Sequence, residues 1–276
     1  MPIADVIAMT DQPITSQRLV QDLIRIGMKA GQTVLVHSSL ASLGWVCGGA
    51  VAVIESLIGV LGASGTLVMP CFTTDLTEPS DWRRPPVPPE WCDEIRATMP
   101  AFDVRKTPTN NMGAIAELFR TWPGVVRSNH PTSSFSALGP LANVLVASHP
   151  LDDPVGESSP IGRMYHVNAK ILLLGVGHHR NTSIHLAERK RFGDHQVRVR
   201  NGSPIMEDGL RQWVEYDEPD LNGVDLGIIG HEFELANVGV SRGQVGFAES
   251  VFMDQQALVD FAVDWFKMNR PCDTDG

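Results

Sequence analysis

The run AKILLLGVG, residues 169 to 177, constrains the fold more than any other stretch. It has the length of a strand and is almost wholly apolar, so neither face of it suits water. A strand buried on both faces belongs in a sheet covered by helices on each side. TVLVHSSL (33–40) and GTLVMPCFT (65–73) repeat the pattern. Between and around these runs lie segments with helical periodicity. QRLVQDLIRIGMKA reads as an amphipathic helix capped by Thr15 or Ser16 and closed by Gly31. GGAVAVIESLIGVLG, NNMGAIAELFRTWP and PLANVLVASHP read as further helices, and residues 75 to 91 as a proline-rich loop. SNHPTSSFSALG reads as extended chain, and NTSIHLAERK as a helix start with Asn181 or Thr182 as its cap.

The pattern changes after Arg191. HQVRVRNGSPIMEDGLRQWVEY alternates in short runs broken by Asn-Gly and Asp-Gly, which are hairpin signals. DLNGVDLGIIGHEFELA is helical again, VGFAESVFMD returns as a strand, and QQALVDFAVDWFKMNR is a closing amphipathic helix. The expectation is an α/β fold with a central mixed sheet covered by helices on both faces. Residues 1–276 form a single domain, with a small antiparallel β insertion at about 194–217.

Composition narrows the function. No run of about 18 apolar residues exists, so no membrane partner is expected. The start MPIADVIAMTDQPITS lacks a basic region followed by a long apolar one, which points to the cytoplasm. The net charge of −10 argues against nucleic acid and suits a cationic ligand, although solubility alone explains such acidity. Cys47, Cys71, Cys92 and Cys272 are scattered, with no C-x-x-C pair to suggest zinc or a disulfide framework.

In open α/β sheets ligands bind beyond the carboxyl ends of strands. That rule selects His37-Ser38-Ser39, the stretch from Cys71 to Asp75, and the stretch from Gly177 to Glu188. The last of these, GVGHHRNTSIHLAERK with its flanks, holds three histidines within eight positions. On a helix Thr182, His185 and Glu188 share one face. A carboxylate beside an imidazole fixes its tautomer and makes a general base. A threonine hydroxyl there can donate to an oxyanion or a leaving sulfur. His178, His179 and His185 also admit a metal-dependent amidohydrolase, although H-E-x-x-H spacing is absent. A helix start with no chemistry, in a small-molecule binder, is the third reading.

Other stretches carry weaker signals. The two serines after TVLVH offer hydroxyls and backbone N–H groups to a cofactor, or merely satisfy their own turn. Thr107, Thr109 and Asn110 precede a helix whose first N–H groups can take an anion, or be capped. Arg127 with Ser128 suits a phosphate, and equally a solvated surface. EYDEPD places four carboxylates in residues 215 to 220. Glu215 and Asp217 alternate and so face one way, toward a polyamine or toward water.

Taken in order, VHSSL, GTLVMPCFT, TPTNNMGAIAE, RSNHPTSSFSALG, Ser159-Pro160 and GVGHHRNTSIHLAE resemble the aminoglycoside 3-N-acetyltransferase family. The resemblance spans about residues 16 to 268. It implies direct acetyl transfer from acetyl-CoA, as co-substrate and without a metal, to the 3-amino group of a 2-deoxystreptamine aminoglycoside, with antibiotic resistance as the outcome. By motif it makes His185 the catalytic base, Glu188 its carboxylate and Thr182 the hydroxyl facing the thioester. It lines the coenzyme with His37, Ser38, Ser39, Leu40, Thr107, Thr109, Met112, Gly113, Arg127 and Ser128. It sets Asp75, Glu215 and Asp217 against the substrate amines. A different amine substrate within the same family shape stands as the alternative.

Overall fold

The computed structural model describes residues 2–221, 223–236 and 239–270, so Cys272 lies outside the described residues. Among the described residues nine strands form: β1 (Thr33–Ser38), β2 (Thr66–Pro70), β3 (Val126–Arg127), β4 (Phe135–Leu138), β5 (Lys170–Leu174), β6 (Arg198–Glu207), β7 (Leu210–Pro219), β8 (Ser241–Val245) and β9 (Ala248–Asp254). Seven of them make one mixed sheet in the order β3-β4-β2-β1-β5-β9-β8. Its middle is parallel: β1 pairs with β2 and with β5, His37 lying opposite Leu173. The flanking pairs are antiparallel.

The apolar runs explain this order. In β1, Val34 and Val36 enter one core while Leu35 enters the other. In β5, Leu172 and Leu174 join the first, Ile171 and Leu173 the second. Side chains alternate across a strand, so a continuous apolar run feeds two cores at once. Helices Ser16–Arg25, Gly49–Leu61 and Gly113–Phe119 cover the first face. Helices Ala142–Val146, Pro160–His166, Ser183–Phe192, Leu226–Ala236 and Gln255–Asn269 cover the second.

Local details depart from the sequence reading. The first long helix is capped by Thr15, whose side chain accepts from the Arg18 N–H at 3.3 Å, but it ends at Arg25 rather than near Gly31. Gly27, at φ +108°, turns the chain there, a conformation other residues avoid. Short helices Ile3–Ala8, Cys92–Thr98 and Pro160–His166 were not expected, nor were edge strands β3 and β8. Ser159 caps the last of these helices, accepting from Gly162 N–H at 3.3 Å, with Pro160 in its first turn.

β6 and β7 pair only with each other, as an antiparallel hairpin. Its turn is Asp208-Gly209, both with positive φ. Asn201-Gly202, the other turn signal, lies inside β6. A Cβ on Gly202 would meet the Trp213 ring at 2.7 Å, so the glycine makes room for a tryptophan. Among the described residues no helix is long and apolar enough to cross a membrane.

Candidate active site

A cavity of about 1280 Å³ opens at the carboxyl ends of β1, β2 and β5. His37, Ser38, Ser39 and Leu40 line it from β1 and the turn that follows. Phe72, Met112 and Gly113 line it beyond β2, and Thr182 and His185 beyond β5. These four chain segments are far apart in sequence. The parallel centre of the sheet brings their ends to one edge.

His185 and Glu188 sit on helix Ser183–Phe192, three residues apart and on the same side. The His185 Nδ1 lies 3.3 Å from the Glu188 Oε2. Both residues are buried, at 9% and 6% exposure, and His185 reaches the cavity wall. Glu188 does not stand alone: Arg270 donates to its Oε1 at 3.0 Å and also pairs with Asp225. A buried carboxylate needs such partners to remain charged. With Nδ1 engaged, the Nε2 of His185 has no protein partner among the described residues, so one lone pair is open.

Thr182 precedes the helix, yet its side chain makes no capping bond. Asn181 caps instead, its Oδ1 accepting from the Ser183 N–H at 3.3 Å. The Thr182 hydroxyl is therefore released toward the cavity, where its Oγ1 lies 3.4 Å from the His37 Nε2. Burial drives the His37 pKa down to about 3, so this imidazole is neutral at any working pH.

His178, in the turn before the helix, is a different kind of histidine. Its Nε2 faces the Glu234 Oε1 at 2.9 Å, and the Asn181 amide meets its Nδ1 at 3.3 Å. Arg242 holds both oxygens of Glu234 at 2.8 to 3.0 Å. Gly230 is required beside it, because a Cβ there would lie 1.9 Å from the His178 ring. Burial lowers the His178 pKa more than Glu234 raises it. Among the described residues, no three His, Cys, Asp or Glu side chains are grouped as metal ligands. His178 and His185 each turn to a separate glutamate.

Residues 35–267 match the family profile described as aminoglycoside 3-N-acetyltransferase. The chain belongs to the aminoglycoside 3-N-acetyltransferase family. It is 44% identical over 265 residues to the SPbeta prophage-derived aminoglycoside N(3')-acetyltransferase-like protein YokD of Bacillus subtilis (strain 168), covering 96% of each chain. It is 36% identical over 280 residues to aminoglycoside N(3)-acetyltransferase VII of Streptomyces paromomycinus, covering 94% of this chain and 93% of that protein. Its fold superimposes on a structure of AAC-IIIb in binary complex with CoASH with a TM-score of 0.82 and 29% identity, over 95% of this chain and 100% of that one. The protein is thus an acyltransferase enzyme.

Several of the expected site residues lie away from this cavity. Arg127 does not line the acetyltransferase cavity. It is buried, and its guanidinium donates to the Ser134 Oγ at 2.9 Å, the Thr107 carbonyl at 2.6 Å and the Cys71 carbonyl at 2.7 Å. A guanidinium so consumed has little left for a phosphate. Thr107 is part of the same lock, its Oγ1 also accepting from the Asp103 N–H at 2.9 Å. Thr109 gives its N–H to the Glu117 Oε2 at 2.7 Å. Ser128 is fully buried, its hydroxyl set between the Phe135 N–H and the His149 Nδ1, both at 2.9 Å.

The expected acidic residues also lie off the cavity lining. Asp75 is exposed and does not line the cavity. Glu215 and Asp217 do share one face of β7, but it is the solvent face, opposite Arg200 at 4.0 and 3.3 Å. The inward face carries Tyr216 and Glu218, and Glu218 accepts from the Asn201 amide at 2.6 Å. Sequence reasoning missed Arg270 and the His178–Glu234 pairing. Both are contacts between distant segments, and neither leaves a local spacing signal.

Proposed function

We propose that this enzyme transfers acetyl from acetyl-CoA to the 3-amino group of a 2-deoxystreptamine aminoglycoside, directly and with His185 as general base. Such an activity inactivates the antibiotic and confers resistance, and its co-substrate places it in the cytoplasm. One observation carries the reading. His185 stands in the wall of the family's cavity with one nitrogen held by a buried carboxylate and the other open.

The chemistry needs that arrangement. At neutral pH a substrate amine is protonated and carries no free lone pair. The ammonium first gives one proton to solvent; the neutral amine then attacks the thioester carbon with its lone pair, and His185 Nε2 accepts the second nitrogen proton as the new C–N bond forms. Glu188 keeps the Nδ1 proton in place and offsets the charge of the imidazolium, with Arg270 and Asp225 holding Glu188 in turn. Thr182 donates to the oxyanion or to the departing sulfur. In the tautomer that carries its proton on Nε2, neutral His37 would donate to the Thr182 oxygen and leave the threonine proton free for that role. When the intermediate collapses, the C–S bond breaks and the sulfur leaves with its electron pair, taking the proton held on His185 Nε2 to become the free thiol and returning the base to its starting form. Ser38, Ser39, Leu40, Met112 and Gly113 are the residues that would hold the coenzyme arm. General-base assistance of this kind contributes about 10²–10⁴-fold.

The test is a thiol-release assay with acetyl-CoA against aminoglycosides that do and do not carry a free 3-amino group. Release confined to the first group is the expected result. Release with unrelated amines alone would assign the enzyme to another amine substrate.

A further inference from the structure

Coenzyme A ends in a pyrophosphate and a nucleotide 3′-phosphate. A protein of net charge −10 must meet them with local cations. Arg127 is locked inside the fold. Of the arginines nearest the histidine turn, Arg242 is clamped on Glu234 and Arg270 is divided between Glu188 and Asp225. Arg180 differs. It lines the cavity and is exposed, and its guanidinium has no protein partner among the described residues.

Its backbone is nonetheless fixed. Residues His178–Arg180 form a tight turn, with Arg180 N–H donating to the Gly177 carbonyl at 3.0 Å and Asn181 N–H to the His178 carbonyl at 2.8 Å. His178, with both nitrogens engaged, pins that turn to helix Leu226–Ala236. Two peptide units separate Arg180 from Thr182, so their Cα atoms lie within about 7.6 Å. An unpaired guanidinium is thus held at the rim of the cavity whose inner wall carries the acyl-transfer residues. His179, also exposed, stands beside it. Two carboxylates share the lining: Glu234 is neutralised by Arg242, and Glu249, whose side chain lies 3.5 Å from the Gln244 amide, sits beside Gly175, its carbonyl accepting from the Gly175 N–H at 3.2 Å.

We propose that Arg180, with His179 beside it, is the phosphate-binding cation of the coenzyme channel. A planar guanidinium with all its donors free matches phosphate oxygens two at a time. The inference rests on acetyl-CoA being the donor, as proposed above. It makes the enzyme select a phosphorylated thioester over a bare pantetheine one, through a residue that takes no part in the chemical step.

The test uses the full chain and Arg180→Gln, a change that removes no protein contact. The KM for acetyl-CoA should rise about tenfold, the usual weight of one charge-assisted hydrogen bond. The kcat and the aminoglycoside KM should hold. With S-acetylpantetheine, which lacks phosphate, variant and wild type should match. Acetyl-3′-dephospho-CoA then locates the contact: a surviving difference assigns the pyrophosphate, a lost one the 3′-phosphate. An unchanged acetyl-CoA KM, an equal rise with S-acetylpantetheine, or a rise in the aminoglycoside KM instead would each overturn the proposal. Calorimetric titration of free coenzyme A needs no turnover. Weaker binding to the variant supports Arg180 even if the wild type acetylates no aminoglycoside, and equal or absent binding to both proteins refutes it.

Discussion

Two histidine–glutamate pairs lie seven residues apart on the same cavity, and they do opposite things. His178 has Glu234 on one nitrogen and Asn181 on the other. His185 has Glu188 on one nitrogen and, among the described residues, no partner on the other. The first is a structural tie between a turn and a helix. The second is the proposed base. Pairing with a carboxylate therefore does not identify a catalytic histidine. What identifies it is an open lone pair in a cavity wall, held in orientation from behind.

The largest expected effect separates the two. His185→Ala should lower kcat by at least about 100-fold, with coenzyme binding close to wild type and only a modest fall in thermal midpoint, since Glu188 keeps Arg270. His178→Ala should do the reverse. It leaves Glu234 with Arg242 alone and removes the acceptor from the buried Asn181 amide, at a cost of about 1–3 kcal/mol for the unsatisfied buried group. Its thermal midpoint should fall clearly while kcat drops far less. Equal losses of kcat in two well-folded variants would erase the distinction.

A second, smaller effect sharpens the contrast by pH. His37, His130, His149 and His178 are all held below the ordinary histidine range by burial, His37 to about 3 and His149 to about 4. His149 is enclosed on both sides, by Ser128 at 2.9 Å and the Pro154 carbonyl at 2.8 Å. In the unfolded chain these groups titrate near 6.5. Between that value and their folded values the unfolded state binds more protons, so stability rises with pH. It is complete above about pH 6.5 and is lost as pH falls toward 4. Denaturant midpoints measured across that window should decline with acid, and His149→Gln should flatten the decline. A midpoint indifferent to pH would mean that these rings are not enclosed as described.

How far the molecule was legible follows the same division between local and distant. The central strands were readable because a run like KILLL must be buried on both faces whatever surrounds it. β8, with the sequence SRGQV, carries no such mark and is a strand only because β9 offers it a partner. The His185–Glu188 pair was readable because helical spacing alone places three-apart residues together. Arg270 was not, since 82 residues separate it from Glu188. Arg127 was misread for a physical reason. An arginine beside a serine looks like a phosphate site, but three internal acceptors at the junction of β3, β4 and the chain after β2 consume it. Asn201-Gly202 was misread because a glycine that admits a tryptophan and a glycine that makes a turn are the same letter.

The smallest expected effect applies the contrast to carboxylates. Glu188 is buried, held by Arg270 and turned to a histidine. Glu215 and Asp217 are more than half exposed, with side chains at 59% and 56%, and face only Arg200 on the neighbouring strand. Alternation along β7 fixes this: once Tyr216 is buried on the inner face, its neighbours must point out. Exposed pairs of this kind contribute at most about 1 kcal/mol. The double variant Glu215→Gln, Asp217→Asn should therefore leave kcat and both KM values within about twofold of wild type and shift stability by no more than that small amount. Steady-state kinetics in each substrate decide it. A many-fold rise in the aminoglycoside KM alone would show that the hairpin turns its outer face to the substrate during turnover. The comparison of inward and outward carboxylates would then reverse.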